Sequence, residues 1–185
     1  TTNELLIKKR MDTKDIVFHA EIVGAPFVIV KTEGKSPPEQ TINEAAQLAA
    51  SYSRAWKESV SAINVYWIYP NQVTKTPPSG QSLQKGSFMI RGTKNFVRGV
   101  PLKVAIGVKT KDEQVLIIGG PPTAIANQTE FFIEVVQGNQ KSGKIAKQIR
   151  HQLSKKVPEA LCRKVTAIPL DEIQRFIPLG RGKIK

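Results

Sequence analysis

The sequence predicts an α+β fold, a mixed or antiparallel sheet packed against one long helix, followed by a smaller C-terminal βα extension. Three observations carry that expectation. Short runs rich in β-branched and aromatic residues recur between glycine and proline turn signals. One stretch, Ala45 to Trp56, repeats its apolar residues at three- and four-residue spacing, the period of a helix with one buried face. A second strand-then-helix pattern lies between Phe131 and Leu153. The expected division is a core over residues 1–110 and a basic extension over residues 111–185.

Along the chain, Leu5, Leu6 and Ile7 stand close to the start, so the sequence reads as an excised fragment with apolar residues already in place. Ile16 to Ala20 and Phe27 to Val30 predict two strands joined tightly by Gly24-Ala25-Pro26. Lys35-Ser36-Pro37-Pro38 predicts a loop, and Thr41-Ile42-Asn43-Glu44 fits a capping box, which starts a helix at Ile42. Ala45, Leu48, Ala49, Tyr52, Ala55 and Trp56 form its apolar face over about four turns. Ala62 to Tyr69 is a strand ended by Pro70, and its Tyr66 and Trp67 suit either a core or base stacking.

Pro77-Pro78-Ser79-Gly80 is read as a loop, and Phe88-Met89-Ile90 as a short strand between Gly86 and Gly92 that fixes Arg91 and Lys94 at its end. Leu102, Val104, Ile106 and Val108 alternate as a further strand, and Val115 to Ile118 forms another that stops at Gly119-Gly120-Pro121-Pro122. A strand over Phe131 to Val136 precedes a helix over Ser142 to Leu153, in which Ile145, Ile149 and Leu153 face inward and Lys144, Lys147 and Arg150 outward. Pro158 and Pro169 break the remainder into short pieces, with a last helix near Leu170 to Phe176 and a basic tail, Arg181 to Lys185, expected to fray without a ligand.

Charge narrows the function. The 185 residues carry a formal charge of +13, which makes nucleic acid the first partner class and an anionic membrane surface the second. From Ser59 through Lys111 there is no Asp or Glu, while Lys75, Lys85, Arg91, Lys94, Arg98, Lys103, Lys109 and Lys111 all fall within that stretch. Folded surfaces ordinarily mix both signs, so this stretch reads as a polyanion-facing surface. Residues 141–185 hold 12 Lys and Arg against 3 Asp and Glu, a net +9 that leaves +4 on the first 140. No apolar run is long enough for a membrane span and no signal peptide is recognisable, so a cytoplasmic protein is expected. One cysteine, Cys162, and two histidines, His19 and His151, supply neither a disulfide nor a zinc site.

Enzyme motifs are weak. Gly138-Asn139-Gln140-Lys141-Ser142-Gly143-Lys144 matches the first seven positions of a phosphate-binding P-loop, but Ile145 stands where Ser or Thr must hold Mg²⁺. The run is expected to be an ordinary helix-start loop, with Lys141 and Lys144 as candidate phosphate contacts. His19 has only Glu21 as a nearby carboxylate and no nucleophile to serve, and Cys162 has no histidine near it in sequence. No catalytic constellation, cofactor motif or metal motif is recognised.

Taken together, Asn3-Glu4-Leu5-Leu6, His19-Ala20-Glu21, Gly24-Ala25-Pro26, Glu44-Ala45-Ala46, Tyr52-Ser53-Arg54-Ala55-Trp56, Gln72-Val73-Thr74-Lys75 and the run from Gly86 to Phe96 resemble the NFACT-R domain over about Asn3 to Val108. More weakly, Gly119-Gly120-Pro121-Pro122, Phe131 to Gly138 and Ile177 to Arg181 are similar to the endings of archaeal members. That family includes the nuclear export mediator factor and bacterial fibronectin-binding-like proteins. The resemblance implies ribosome-associated quality control: binding tRNA and ribosomal RNA on an obstructed large ribosomal subunit and supporting untemplated extension of the stalled chain. It also implies that the sequence begins after the domain's usual first strands, leaving an open sheet edge or apolar patch near Leu5 and Phe18 and a homodimer of the isolated chain. Two positions depart from the family's pattern: Val23 stands where many members have a second His, and Thr93 where a basic residue is common.

The expected function is therefore RNA binding through phosphate contacts, with Lys75, Lys85, Arg91, Lys94, Arg98, His19, Lys141 and Lys144 as the candidate set. Two other classes stay open at this point: a protein-interaction module that docks on ribosomal proteins, and an RNA-modifying enzyme.

Overall fold

The computed structural model describes residues 2–77, 79, 82–83, 87–112 and 114–185. A first helix, α1 (Thr2–Arg10), leads to the hairpin of β1 (Ile16–Ala20) and β2 (Phe27–Val30). Next come α2 (Glu39–Ser51), a 3₁₀ turn (Arg54–Trp56), β3 (Ala62–Ile68), the two-residue strands β4 (Val73–Thr74) and β5 (Met89–Ile90), and β6 (Asn95–Pro101). The second half comprises β7 (Lys103–Lys111), β8 (Gln114–Gly120), α3 (Pro122–Ala126), β9 (Phe132–Lys141), α4 (Ser142–Lys156), α5 (Glu159–Thr166), α6 (Leu170–Gln174) and β10 (Arg181–Ile184).

The strands form a sheet in the order β2-β1-β3-β6, a second in the order β10-β9-β7-β8, and the small β4-β5 pair. All these pairings are antiparallel, as the α+β expectation allowed. In the first sheet the two-residue pleat sorts side chains by parity. Ile16, Phe18 and Ala20 of β1 and Val65 of β3 enter the main core beneath α2, whereas Val17, Tyr66 and Ile68 join Phe27 on the opposite face. The β3–β6 register shifts between Ile63 and Val65, and this bulge lets Val97 and Val100, three residues apart, both reach the main core.

That core is continuous between the sheets. It takes in Val104, Ile106 and Val108 from β7, Val135 from β9 and Ile145, Ile149 and Leu153 from α4. Polar side chains bond the halves together. The Trp56 indole, 2% exposed, donates to the Arg181 carbonyl at 2.7 Å, and the Tyr52 hydroxyl donates to the Phe176 carbonyl at 2.8 Å. Burial pushes the Tyr52 phenol up to about 12, so it stays a neutral donor. Ser51 Oγ donates to the Lys103 carbonyl at 3.0 Å, and Gln137 Nε2 donates to the carbonyls of Ala55 and Val60. The seam expected between residues 110 and 111 falls at the β7–β8 turn, inside one sheet.

Several local expectations need correction. Helix α2 starts at Glu39, so Thr41 and Glu44 lie inside it instead of forming a capping box. Pro38, at φ −58° and ψ 153°, delivers the chain into the first turn, and its carbonyl accepts from the Ile42 N–H. The helix also ends at Ser51, leaving Ala55 and Trp56 to the 3₁₀ turn. Gly138 to Lys141 is the end of strand β9, running directly into α4, and not a loop. Gly138 is required there because β10 crosses so closely that a Cβ would lie 2.8 Å from the Gly182 backbone. Arg181 to Ile184, expected to fray, is strand β10 paired to β9. Arg150 is half-buried, with a guanidinium nitrogen donating to the Ile168 carbonyl at 2.9 Å. Phe18 is fully buried and β1 is flanked by β2 and β3, so no open edge exists there; Leu5 is 57% exposed.

Because Trp56 bridges both halves of one core, Trp56→Ala should lower stability by about 3–5 kcal/mol in chemical denaturation. Unfolding of the unaltered chain should be one transition, with coincident far- and near-ultraviolet circular dichroism curves. Separate transitions for the two sheets would refute the shared core.

Candidate nucleic-acid interface

On the face of the first sheet away from α2, cross-strand register assembles a row of rings. Phe27 of β2 pairs with His19 of β1, His19 with Tyr66 of β3, and Tyr66 with Phe96 of β6. Ring centroids are 4.9 Å apart for His19 and Phe27, 5.8 Å for His19 and Tyr66, and 6.0 Å for Tyr66 and Phe96. These spacings are those of directly opposed cross-strand aromatic pairs. Phe88, just before β5, extends the row with an edge-on contact of 5.4 Å to Phe27.

Cations sit on these rings. Lys94 Nζ lies 4.3 Å from the Tyr66 centroid, the Arg98 guanidinium 5.0 Å from Phe96, and Lys75 Nζ 5.4 Å from Phe88. The turn between β5 and β6 is held by Gln72, whose Nε2 donates to the carbonyls of Arg91 (2.7 Å) and Thr93 (2.9 Å) while its Oε1 accepts from the Tyr69 N–H. Gly92 takes φ +76° there, and a Cβ would press to 3.1 Å on that same amide nitrogen, so glycine is needed on both counts.

Of the candidate set, the structure gathers Lys75, His19, Lys94 and Arg98 on one face through this chain of contacts. Arg91 stands exposed at the Gln72-held turn. Lys141 and Lys144 are exposed at the β9–α4 junction on the second sheet, apart from the row. Lys85 lies outside the described residues. The sequence reading missed Phe27 as a partner of His19, and Phe88 and Phe96 as the rings that extend the row beyond Phe27 and Tyr66. It also missed Glu4, whose carboxylate pairs with Lys75 across 71 positions. Among the described residues Arg91, Lys94 and Arg98 have no ion-pair partner. The hydrogen bond and charge of Lys75 hold the Glu4 carboxyl down at about 2.

His19 is mostly buried and its Nδ1 lies 3.4 Å from the Tyr66 hydroxyl. Burial pulls its pKa below the ordinary 6.5 and the Lys94 charge pulls the same way, against hydrogen bonds to the Ala25 and Ala20 backbone that raise it. The ring is therefore neutral at physiological pH, and it completes an uncharged row with a cationic surround. Among the described residues no cluster of His, Cys, Asp or Glu could hold a metal ion, and no helix is long and apolar enough to cross a membrane. Since the folded histidine binds its proton more weakly than the unfolded one, stability should be flat above about pH 6.5 and fall as pH drops below it. Thermal melts across pH should show that loss, and His19→Gln, which cannot charge, should flatten it; an unchanged acid slope in the variant would remove His19 as its source.

Residues 1–92 match the NFACT protein RNA binding domain. The chain is 42% identical over 149 residues to the archaeal Rqc2 homolog aRqcH of Methanocaldococcus jannaschii, covering 80% of this chain and 22% of that protein. It is 45% identical over 116 residues to the ribosome quality control complex subunit NEMF homolog of Drosophila melanogaster, covering 62% of this chain and 12% of the relative. Human ribosome quality control complex subunit NEMF is 42% identical over 51% of this chain and 9% of its own length. The chain thus spans about a fifth or less of these relatives. The solved C-terminal part of the fibronectin/fibrinogen-binding protein from Streptococcus suis aligns with 54% of this chain and 37% of its own at 24% identity, with a TM-score of 0.43. Through residues 1–92, carrying β1 to β5 with His19, Phe27, Tyr66, Lys75 and Phe88, the chain belongs to the NFACT RNA-binding-domain family.

Proposed function

We propose that this chain is the RNA-contacting part of a ribosome quality control factor, and that the ring-and-cation face of the first sheet is where RNA lies. The observation that carries this is the in-register row Phe27, His19, Tyr66 and Phe96, in which Phe27 and Tyr66 are mostly buried and Phe96 is 39% exposed, with Lys94, Arg98 and Lys75 seated over Tyr66, Phe96 and Phe88. Aromatic faces accept bases of any sequence, and lysine and arginine beside them neutralise phosphates. The relatives named for ribosome quality control support the setting. In it the partners are tRNA and large-subunit ribosomal RNA, and the whole protein supports untemplated extension of a stalled chain.

Lys141 and Lys144 belong to a second basic surface in this reading. With Lys147 and Lys155 on exposed positions of α4, and Arg181 and Lys183 on β10, they meet a separate stretch of phosphate backbone. Helix α4 contains no acidic residue. The division of labour is then a core over residues 1–110 that meets bases and phosphates and an extension over residues 111–185 that meets phosphates alone.

Removing Arg91, Lys94 and Arg98 together as alanines should reduce the slope of log affinity for tRNA against log salt by roughly 2 to 3 units, since each phosphate contact releases just under one counterion. Melting temperature should move little, because surface substitutions rarely exceed about 0.5 kcal/mol. Arg91→Lys should weaken binding with little change of slope, as charge is kept and the fork is lost. An unchanged slope in the triple variant refutes this interface. Glu4→Gln should act in the opposite sense, freeing Lys75 and steepening the slope by roughly 1 unit; fluorescence titration at several salt concentrations reads both.

A further inference from the structure

At the Phe27 end of the row the sheet face sinks into a hollow of about 450 Å³, bounded by His19, Phe27, Tyr66, Ser87 and Phe88 and by the Val23-Gly24-Ala25 turn. That volume falls in the range of small-molecule sites, about 300–1,000 Å³. Its chemistry is unusual for so basic a chain. None of the described residues that line it carries a formal charge, while two lysines stand beside it: Lys75 over Phe88, paired with Glu4, and Lys94 over Tyr66. Phosphate would find no cation inside, and a base would find rings below and hydroxyl groups at Ser87 and Tyr66.

The floor is stiff. Asn3 of α1 uses both ends of its amide on the backbone around the hollow, accepting from the Phe27 N–H and donating to the Ala25 carbonyl, each at 3.2 Å. This pins the turn that forms one wall. Val23 at the tip of that turn is 82% exposed, so an apolar side chain stands beside the opening without a covering element. Phe88 meets Phe27 edge-on at 5.4 Å, and since Phe27 is mostly buried the half-buried Phe88 offers the more open ring to a planar group.

We infer that this hollow holds a single unpaired RNA base, with Lys75 and Lys94 on the phosphates to either side. The inference rests on the reading that this face binds RNA and adds what the face selects: an unstacked nucleotide at a strand end, bulge or loop, instead of a continuous duplex. An uncharged bowl with a cationic rim separates base from phosphate in the way that single-strand recognition requires. An apolar side chain of a protein would also fit the bowl but would gain nothing from the rim.

The test titrates the 185-residue chain with a short single-stranded RNA and with an abasic sugar–phosphate strand of the same length. The abasic strand should bind about 5- to 100-fold more weakly with the same salt slope, since base–ring stacking supplies the difference. Phe88→Ala should close most of that gap, and any loss of affinity for the abasic strand through release of Lys75 should be smaller than the gap itself. Phe88→Leu, which keeps an apolar filler and guards against simple unfolding, should close it in part. Equal affinity of the unaltered chain for both strands, with a normal salt slope, overturns the base site and leaves the phosphate interface standing. A gap that survives both substitutions also overturns it. If neither strand binds at low salt, the RNA reading of the face itself fails. Competition of RNA binding by an uncharged apolar peptide, with no gap between the two strands, would assign the hollow to a protein side chain instead.

Discussion

The arrangement depends on one constraint, the two-residue period of a strand locked by register to its neighbours. Phe18 and His19 are adjacent in sequence and serve opposite sides of the same sheet: the first is sealed in the main core, the second lies in the ring row. The same holds for Val65 and Tyr66. A shift of one residue at β1 would place His19 beneath α2 and Phe18 among the cations. Packing of the core therefore fixes the alignment of the ring row, and a shift that disturbs one disturbs the other in β1 and β3.

The second half of the chain supplies rigidity to this arrangement. Trp56, Tyr52, Ser51 and Gln137 each send a hydrogen bond from one half to a backbone group of the other. Bonds from buried side chains to backbone carbonyls tolerate little displacement, because a displaced buried donor loses its partner without gaining water. The basic surface on α4 is held by the same contacts, since α4 packs on β9 and β10 and β10 is the strand whose carbonyl Trp56 holds.

Much of the architecture was legible because it follows local rules. β-branched runs gave the strands around Val17, Val28 and Val65, and apolar periodicity gave the inner face of α4. The α2 start was misread because Thr41 and Glu44 satisfy a capping pattern while Pro38 makes the entry without one. The run at Gly138 was misread because glycine signals both a phosphate loop and a close backbone crossing, and only the position of β10 distinguishes the two. The cations of the proposed interface were visible as an acid-free stretch, but of their rings only Tyr66 was. Phe27 and Tyr66 are 39 positions apart and meet through His19 only by strand pairing. Glu4, lying outside that stretch, returns a negative charge to it at Lys75, which linear charge counting cannot detect.

Seating Lys94 and Arg98 on Tyr66 and Phe96 has a consequence for how the face can vary. A cation resting on a ring is partly ordered before any ligand arrives, so less side-chain freedom is lost on binding. Ring and cation then act as one unit: replacing Phe96 removes a stacking surface and also releases Arg98 to roam. Their substitutions should be strongly non-additive, with the double replacement at Phe96 and Arg98 little worse than either single one.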